Sequence, residues 1–209
     1  MKTIIKKTLF LSIALAISAL SSTASHADTG SANAASTAAA ALPGDSIYQL
    51  PIKLTDQNGK TFDLASRRGQ PTIVSMFYTS CQFVCPMLVE TIQLSAEKLT
   101  PEERSRISSL LVTFDPARDD VKALKSIADK RSLDPAMWTL ARTDAASVRK
   151  FAAALGIQYR LLSDGEYNHS TVLILLDGQG RIVGRTNKIG AVDPAFIKLL
   201  KSAAAKKTS

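Results

Sequence analysis

The chain has 209 residues, a formal charge of +8, two cysteines, two histidines and one tryptophan. Three of its lysines, Lys2, Lys6 and Lys7, precede an apolar run from Leu9 to Leu20 that ends in Ser25-His26-Ala27, the pattern of a secretory signal peptide over residues 1–27. Losing those three lysines and no acid takes the charge from +8 to +5. The basic residues left near the end, Lys201, Lys206 and Lys207, have no aromatics among them, which excludes a nucleic-acid footprint.

The apolar run is well short of the roughly 20 residues that span a membrane, so cleavage and export to the periplasm are expected, with no stable span in the mature chain. An uncleaved signal would be the only tether. Residues 28–44, rich in Ala, Ser and Thr, form a flexible leader with too little apolar bulk to order itself. Residues 45–205 are expected to fold as one monomeric domain, followed by a tail over 206–209.

Within that domain Leu54 to Leu64 reads as a β-hairpin turning at Asn58-Gly59. Thr72 to Tyr78 is a buried strand, and after it Leu88, Ile92, Ala96 and Leu99 recur at helical spacing from Pro86 until Pro101. A second buried strand runs from Ile107 to Phe114, a helix from Asp120 to Lys130, and a third strand over Trp138 to Leu140. Thr143-Asp144 caps a helix that ends at Leu155 before Gly156. Val172 to Leu176 and Arg181 to Arg185 pair around Asp177-Gly178-Gln179-Gly180, and Asp193-Pro194 opens a last helix expected to bury Phe196, Leu199 and Leu200. Alternating strands and helices imply an α/β fold whose central mixed sheet is covered by helices, with the cysteines at the carboxyl end of a central strand.

Those cysteines lie in Cys81-Gln82-Phe83-Val84-Cys85-Pro86. Proline suits the first helical position, which puts Cys85 at the N-cap and Cys81 in the loop before it. Helix N-terminal N–H groups lower a thiol pKa and favour thiolate, both the nucleophile and the metal ligand. The pair can close as a disulfide or open onto a metal. A purely structural disulfide gains little here, because joining residues four apart constrains the unfolded chain weakly.

His169 is the one histidine beyond the signal and precedes the strand from Val172. Thioredoxin-like proteins place a cis-proline in that position, facing the cysteine pair, and this chain has none. Two thiolates and an imidazole suit Cu(I), or Cu(II) with one more ligand. Zinc is chemically possible, but a structural zinc site wants a fourth protein ligand.

The segments YTSCQFVCP at 78–86, FDPARDD at 114–120 and NHSTVLILLDGQGRIVGR at 168–185 make the chain resemble the Sco/SenC family over residues 48–203. The resemblance implies a thioredoxin-like fold, copper bound by Cys81, Cys85 and His169, and dithiol–disulfide cycling of Cys81 and Cys85. It also implies a metallochaperone serving a client copper enzyme or oxidase subunit, with a periplasmic thiol reductant as second partner. The chain departs from the family pattern at Asn168, where many members have aspartate, and at Gln82-Phe83, where relatives often have Pro-Asp. It also carries a cleavable signal in place of the usual anchor.

A thiol–disulfide oxidoreductase without copper delivery is the competing function, and a redox-inert binding module the third. Tyrosine at 78 and glutamine at 82 disfavour peroxidase chemistry; the wide cysteine spacing and absent cis-proline disfavour thioredoxin-type reduction. Asp115, Arg118 and Asp119 could orient the cysteine loop or simply cap the next helix. Met87 is expected to pack, Trp138 to lie in the core, and Tyr78 and especially Phe83 to shield a metal from water.

Overall fold

The computed structural model describes residues 41–81 and 83–206. The segment read as a signal peptide, most of that read as a leader, Gln82 and residues 207–209 lie outside the described residues. The sheet begins with the expected hairpin, β1 (Lys53–Asp56) and β2 (Thr61–Asp63), around Gly59 at φ 80°. Next come β3 (Thr72–Phe77), α1 (Val84–Ala96), α2 (Pro101–Ser105), β4 (Ser108–Thr113), α3 (Val121–Lys130) and β5 (Trp138–Arg142). The chain continues through α4 (Ala145–Leu155), β6 (Tyr159–Leu161), β7 (Tyr167–His169), β8 (Leu173–Leu176), β9 (Ile182–Thr186) and α5 (Pro194–Ala205).

Seven strands form the main sheet in the order β2-β1-β5-β4-β3-β8-β9. β3, β4 and β5 run parallel, joined by helical crossovers, while β8 returns antiparallel against β3. Every residue of β3, β4 and β8 is buried, so both faces of the centre are covered, as unbroken apolar runs such as Leu110-Leu111-Val112 require. β3 is central, and its carboxyl end delivers the chain to the cysteines. No described helix is long and apolar enough to cross a membrane.

Four local expectations change. α1 starts at Val84 with Phe83 as N-cap, so Cys85 is the second helical residue and Pro86 the third. A first-turn N–H has no intrahelical acceptor, so proline is tolerated there too. Pro101 opens α2 as well as ending the segment before it, because Thr100 and Glu103 form a capping box. Leu199 is 37 % exposed while Phe196 and Leu200 are buried. It lies over Gly184 of β9, where a β-carbon would come within 2.5 Å of its Cδ1.

The fourth change concerns the histidine. β6 and β7 form a separate two-stranded sheet, with Tyr159 opposite His169, so His169 ends its own short strand instead of leading into β8. The hairpin signal for it is Asp164-Gly165, with Gly165 at φ 84° and Asp164 Oδ1 accepting from the Glu166 N–H at 3.0 Å.

Gly180, at φ 81°, turns the chain between β8 and β9 directly under the buried Tyr48 ring, and a β-carbon there would lie 2.6 Å from that ring. Gly180→Ala should therefore cost at least about 1–3 kcal/mol, combining overpacking with a backbone that L-residues avoid. A urea titration reads this as a lower midpoint at unchanged slope.

Candidate thiol and metal centre

Beyond β3 the chain passes Tyr78 and Thr79 before reaching Cys81. The buried Asp119 carboxylate fixes this exit. Its Oδ2 accepts from the Thr79 N–H at 3.0 Å, and its two oxygens take the Thr79 and Thr113 hydroxyls. Asp119 thus ties the end of β3 to the end of β4. Capping of α3 falls to Asp120, whose Oδ1 accepts from Ala123 N–H at 2.7 Å, so Asp119 serves the cysteine loop.

The sulfurs sit side by side. Cys85, 7 % exposed, donates its backbone N–H to Cys81 Sγ at 3.4 Å, and neither cysteine is in a disulfide. The hydrogen bond from the Cys85 thiol, helped by the Cys85 and Phe83 N–H groups and the Tyr78 hydroxyl, lowers the Cys81 pKa to about 4 against the opposing effect of burial. Cys85 moves the other way. Its role as donor to Cys81, its burial and the charges of Cys81 and Asp119 push its thiol far above the ordinary range. The lowered pKa is therefore found on the loop cysteine, not on the helical one, and the N–H groups of the helix start are a smaller cause of it than the Cys85 thiol. The pair holds one thiolate and one retained proton.

A cavity of about 30 Å³ adjoins the pair, lined by Tyr78, Cys81, Cys85 and Val89, with Ile127 and Arg131 contributing from the α3 side. His169 lines a different cleft, with Gln158, Arg160 and Asn168. Its Nδ1 lies 3.2 Å from the Ser170 carbonyl; since a carbonyl only accepts, this contact puts the proton on Nδ1 and leaves the Nε2 lone pair free. The imidazole packs against Phe114, with ring centroids 5.0 Å apart, and meets Tyr78 edge-on at 5.9 Å. Among the described residues no three His, Cys, Asp or Glu side chains converge closely enough to hold a metal ion. The two sulfurs are brought together; the imidazole is not beside them, and Tyr78 touches both, lining the sulfur cavity and meeting the His169 ring.

Other residues take different places from those expected. Phe83 is 78 % exposed, whereas Tyr78 is 4 % exposed, so tyrosine and not phenylalanine covers the site. Met87, 42 % exposed, lies over Gly190 instead of packing in the core. Trp138 is buried as expected. Arg118 pairs with Asp115, donates from Nη2 to the Gly165 carbonyl at 2.8 Å and lies 5.6 Å from the Tyr167 ring centroid, clasping the β6–β7 hairpin to the end of β4. Glu166 accepts the Tyr78 hydroxyl at 2.6 Å. Thr79, Thr113, Glu166 and Tyr167 carry no sequence signal beyond their closeness to the cysteine and histidine segments.

A mixed sheet with a Cys-x-x-x-Cys at the carboxyl end of its central strand defines a thioredoxin-like protein built for thiol or soft-metal chemistry. The chain belongs to the SCO1/SenC family, whose model matches residues 41–204. It is 26 % identical over 138 residues to mitochondrial protein SCO2 of Saccharomyces cerevisiae, covering 64 % of this chain and 45 % of that protein. The structure of Bradyrhizobium japonicum ScoI with copper bound superposes with a TM-score of 0.62 at 26 % identity, covering 74 % of this chain and 98 % of that one. BsSco, described with a disulfide switch and as a member of the Sco family of cytochrome c oxidase assembly proteins, gives a TM-score of 0.66 at 21 % identity over 76 % of this chain and 94 % of its own. The chain spans between 45 % and 66 % of the length of the first three curated relatives it matches.

The thiolate makes a direct prediction. Alkylation of Cys81 should be near its plateau at neutral pH and fall as pH drops through about 4. Cys85→Ala removes the leading stabilising hydrogen bond, so its inflection should move up toward the ordinary thiol range. Iodoacetamide rates against pH check both.

Proposed function

We propose that the chain is a periplasmic copper metallochaperone that holds copper on Cys81, Cys85 and His169. It would deliver that copper to a respiratory copper enzyme such as cytochrome oxidase, or prepare the enzyme's thiols. The observation that carries this is the adjacent sulfur pair, one sulfur already anionic, at the carboxyl end of β3. Thiolate and thiol sulfur are soft donors that suit Cu(I), and an imidazole with Nε2 free can supply a third. The copper-bound relative supports the cargo, the oxidase-assembly family the client, and the signal-peptide pattern the compartment.

Thiol–disulfide exchange is the second reading, favoured by the opposed pKa shifts of the two cysteines. Cys81 thiolate would attack a client disulfide, breaking its S–S bond, forming a mixed disulfide and releasing one client thiolate. Cys81 is then uncharged and no longer accepts from Cys85, so the Cys85 proton is held less tightly. Cys85 gives that proton to the released client thiolate, and the resulting Cys85 thiolate displaces the second client thiolate and closes the Cys81–Cys85 disulfide. The client gains two electrons, the chain loses them, and a periplasmic thiol reductant restores the dithiol.

His169→Ala separates the two activities. Copper affinity should fall by at least about 10- to 100-fold while disulfide exchange persists. Competition with a chromogenic Cu(I) chelator measures the first and exchange with a model disulfide the second; unchanged copper affinity removes His169 from the donor set.

A further inference from the structure

Tyr78 touches both halves of the proposed donor set. It lines the cavity that Cys81 and Cys85 also line, its hydroxyl bears on Cys81, and its ring meets His169 edge-on at 5.9 Å. The buried phenol is fastened from outside, by the carboxylate of the exposed Glu166 accepting its hydroxyl at 2.6 Å. Glu166 follows Gly165 in the hairpin turn, and the Gly165 carbonyl is itself held by Arg118. The strand carrying His169 and the ring beside it are thus fastened to each other, with the Tyr167 N–H adding its own bond to the Tyr78 hydroxyl.

We infer that Tyr78 is a positioning residue which, latched by Glu166, keeps the His169 imidazole apart from the two sulfurs, so that three-donor copper capture requires the latch to open. For the imidazole to reach the sulfurs, either the phenol must turn aside or the hairpin must shift. The bond to a carboxylate opposes both, and hydrogen bonds with an ionised partner are the stronger kind. The sulfur cavity is bordered also by Ile127 of α3 and by Arg131, the residue after that helix, and His169 does not line it, so the latch bears on the imidazole without closing that approach. This places the control of copper capture in a tyrosine–glutamate pair that contributes no metal donor.

The latch rests on the donor set proposed above, and the test keeps the two apart. The surface change Glu166→Ala carries the test, because Tyr78→Phe, which keeps the ring, also removes the hydroxyl that bears on Cys81; both are made in the full chain carrying His26→Ala, so that His169 is the sole imidazole. Cu(I) capture from a chromogenic chelator, followed by stopped flow, should become about tenfold faster in both, as expected for losing one charge-assisted hydrogen bond. Without copper, carbethoxylation of His169 by diethylpyrocarbonate should speed up in parallel. Adding His169→Ala should abolish the acceleration, which general loosening of the fold would leave in place. Unchanged capture and unchanged imidazole reactivity, with His169→Ala still weakening copper binding, would overturn the latch and spare the donor set. Acceleration that survives His169→Ala would also overturn it. Copper affinity indifferent to His169→Ala would overturn the donor set, and the latch with it.

Discussion

The site depends on one buried carboxylate. Asp119 accepts a backbone N–H and two hydroxyls from Thr79 and Thr113, and so fixes the ends of two adjacent parallel strands to each other. Cys81 comes two residues after Thr79, and α1 begins three residues further on. A charge buried at such a point costs less when its lone pairs are occupied, and here three donors occupy them. The same charge bears on Cys85, where it adds to the forces keeping that thiol protonated. Asp119 thus sets the loop geometry and adds a smaller share to the unequal acidity of the sulfurs, which comes first from the hydrogen bond between them.

That inequality separates the roles of the cysteines. Cys81, partly exposed and anionic, can meet an incoming partner; Cys85, buried and protonated, supports the charge of its neighbour. A metal binding both would displace the Cys85 proton, and so would formation of a disulfide. Copper loading and thiol oxidation would thus compete for the same sulfurs under the proposed function.

Much of this was legible in the sequence because it rests on local patterns. The runs at 72–77 and 108–113, rich in apolar and β-branched residues and free of charge, mark buried strands, Asn58-Gly59 marks the first hairpin, and Asp144 with Gly156 bounds α4. The second hairpin was missed although Asp164-Gly165 is the same kind of turn signal, since strands of three residues show too little alternation to announce themselves. The exchange of roles between Phe83 and Tyr78 was not readable either. Exposure of a loop aromatic depends on which way the chain leaves β3, and that is set by Asp119, some forty positions away. Tyr78's partner Glu166 is further still, and no local pattern links a tyrosine to a glutamate across such a distance.

Trp138 opens β5, and it pairs with Ser109 near the start of β4. Because β3, β4 and β5 run parallel, the indole lies at their amino ends while both sulfurs lie beyond their carboxyl ends. The molecule has one tryptophan, so its near-ultraviolet emission reports on the packing of the sheet's far end. An optical record of unfolding and a chemical record of events at sulfur can thus be taken from opposite poles of the same protein.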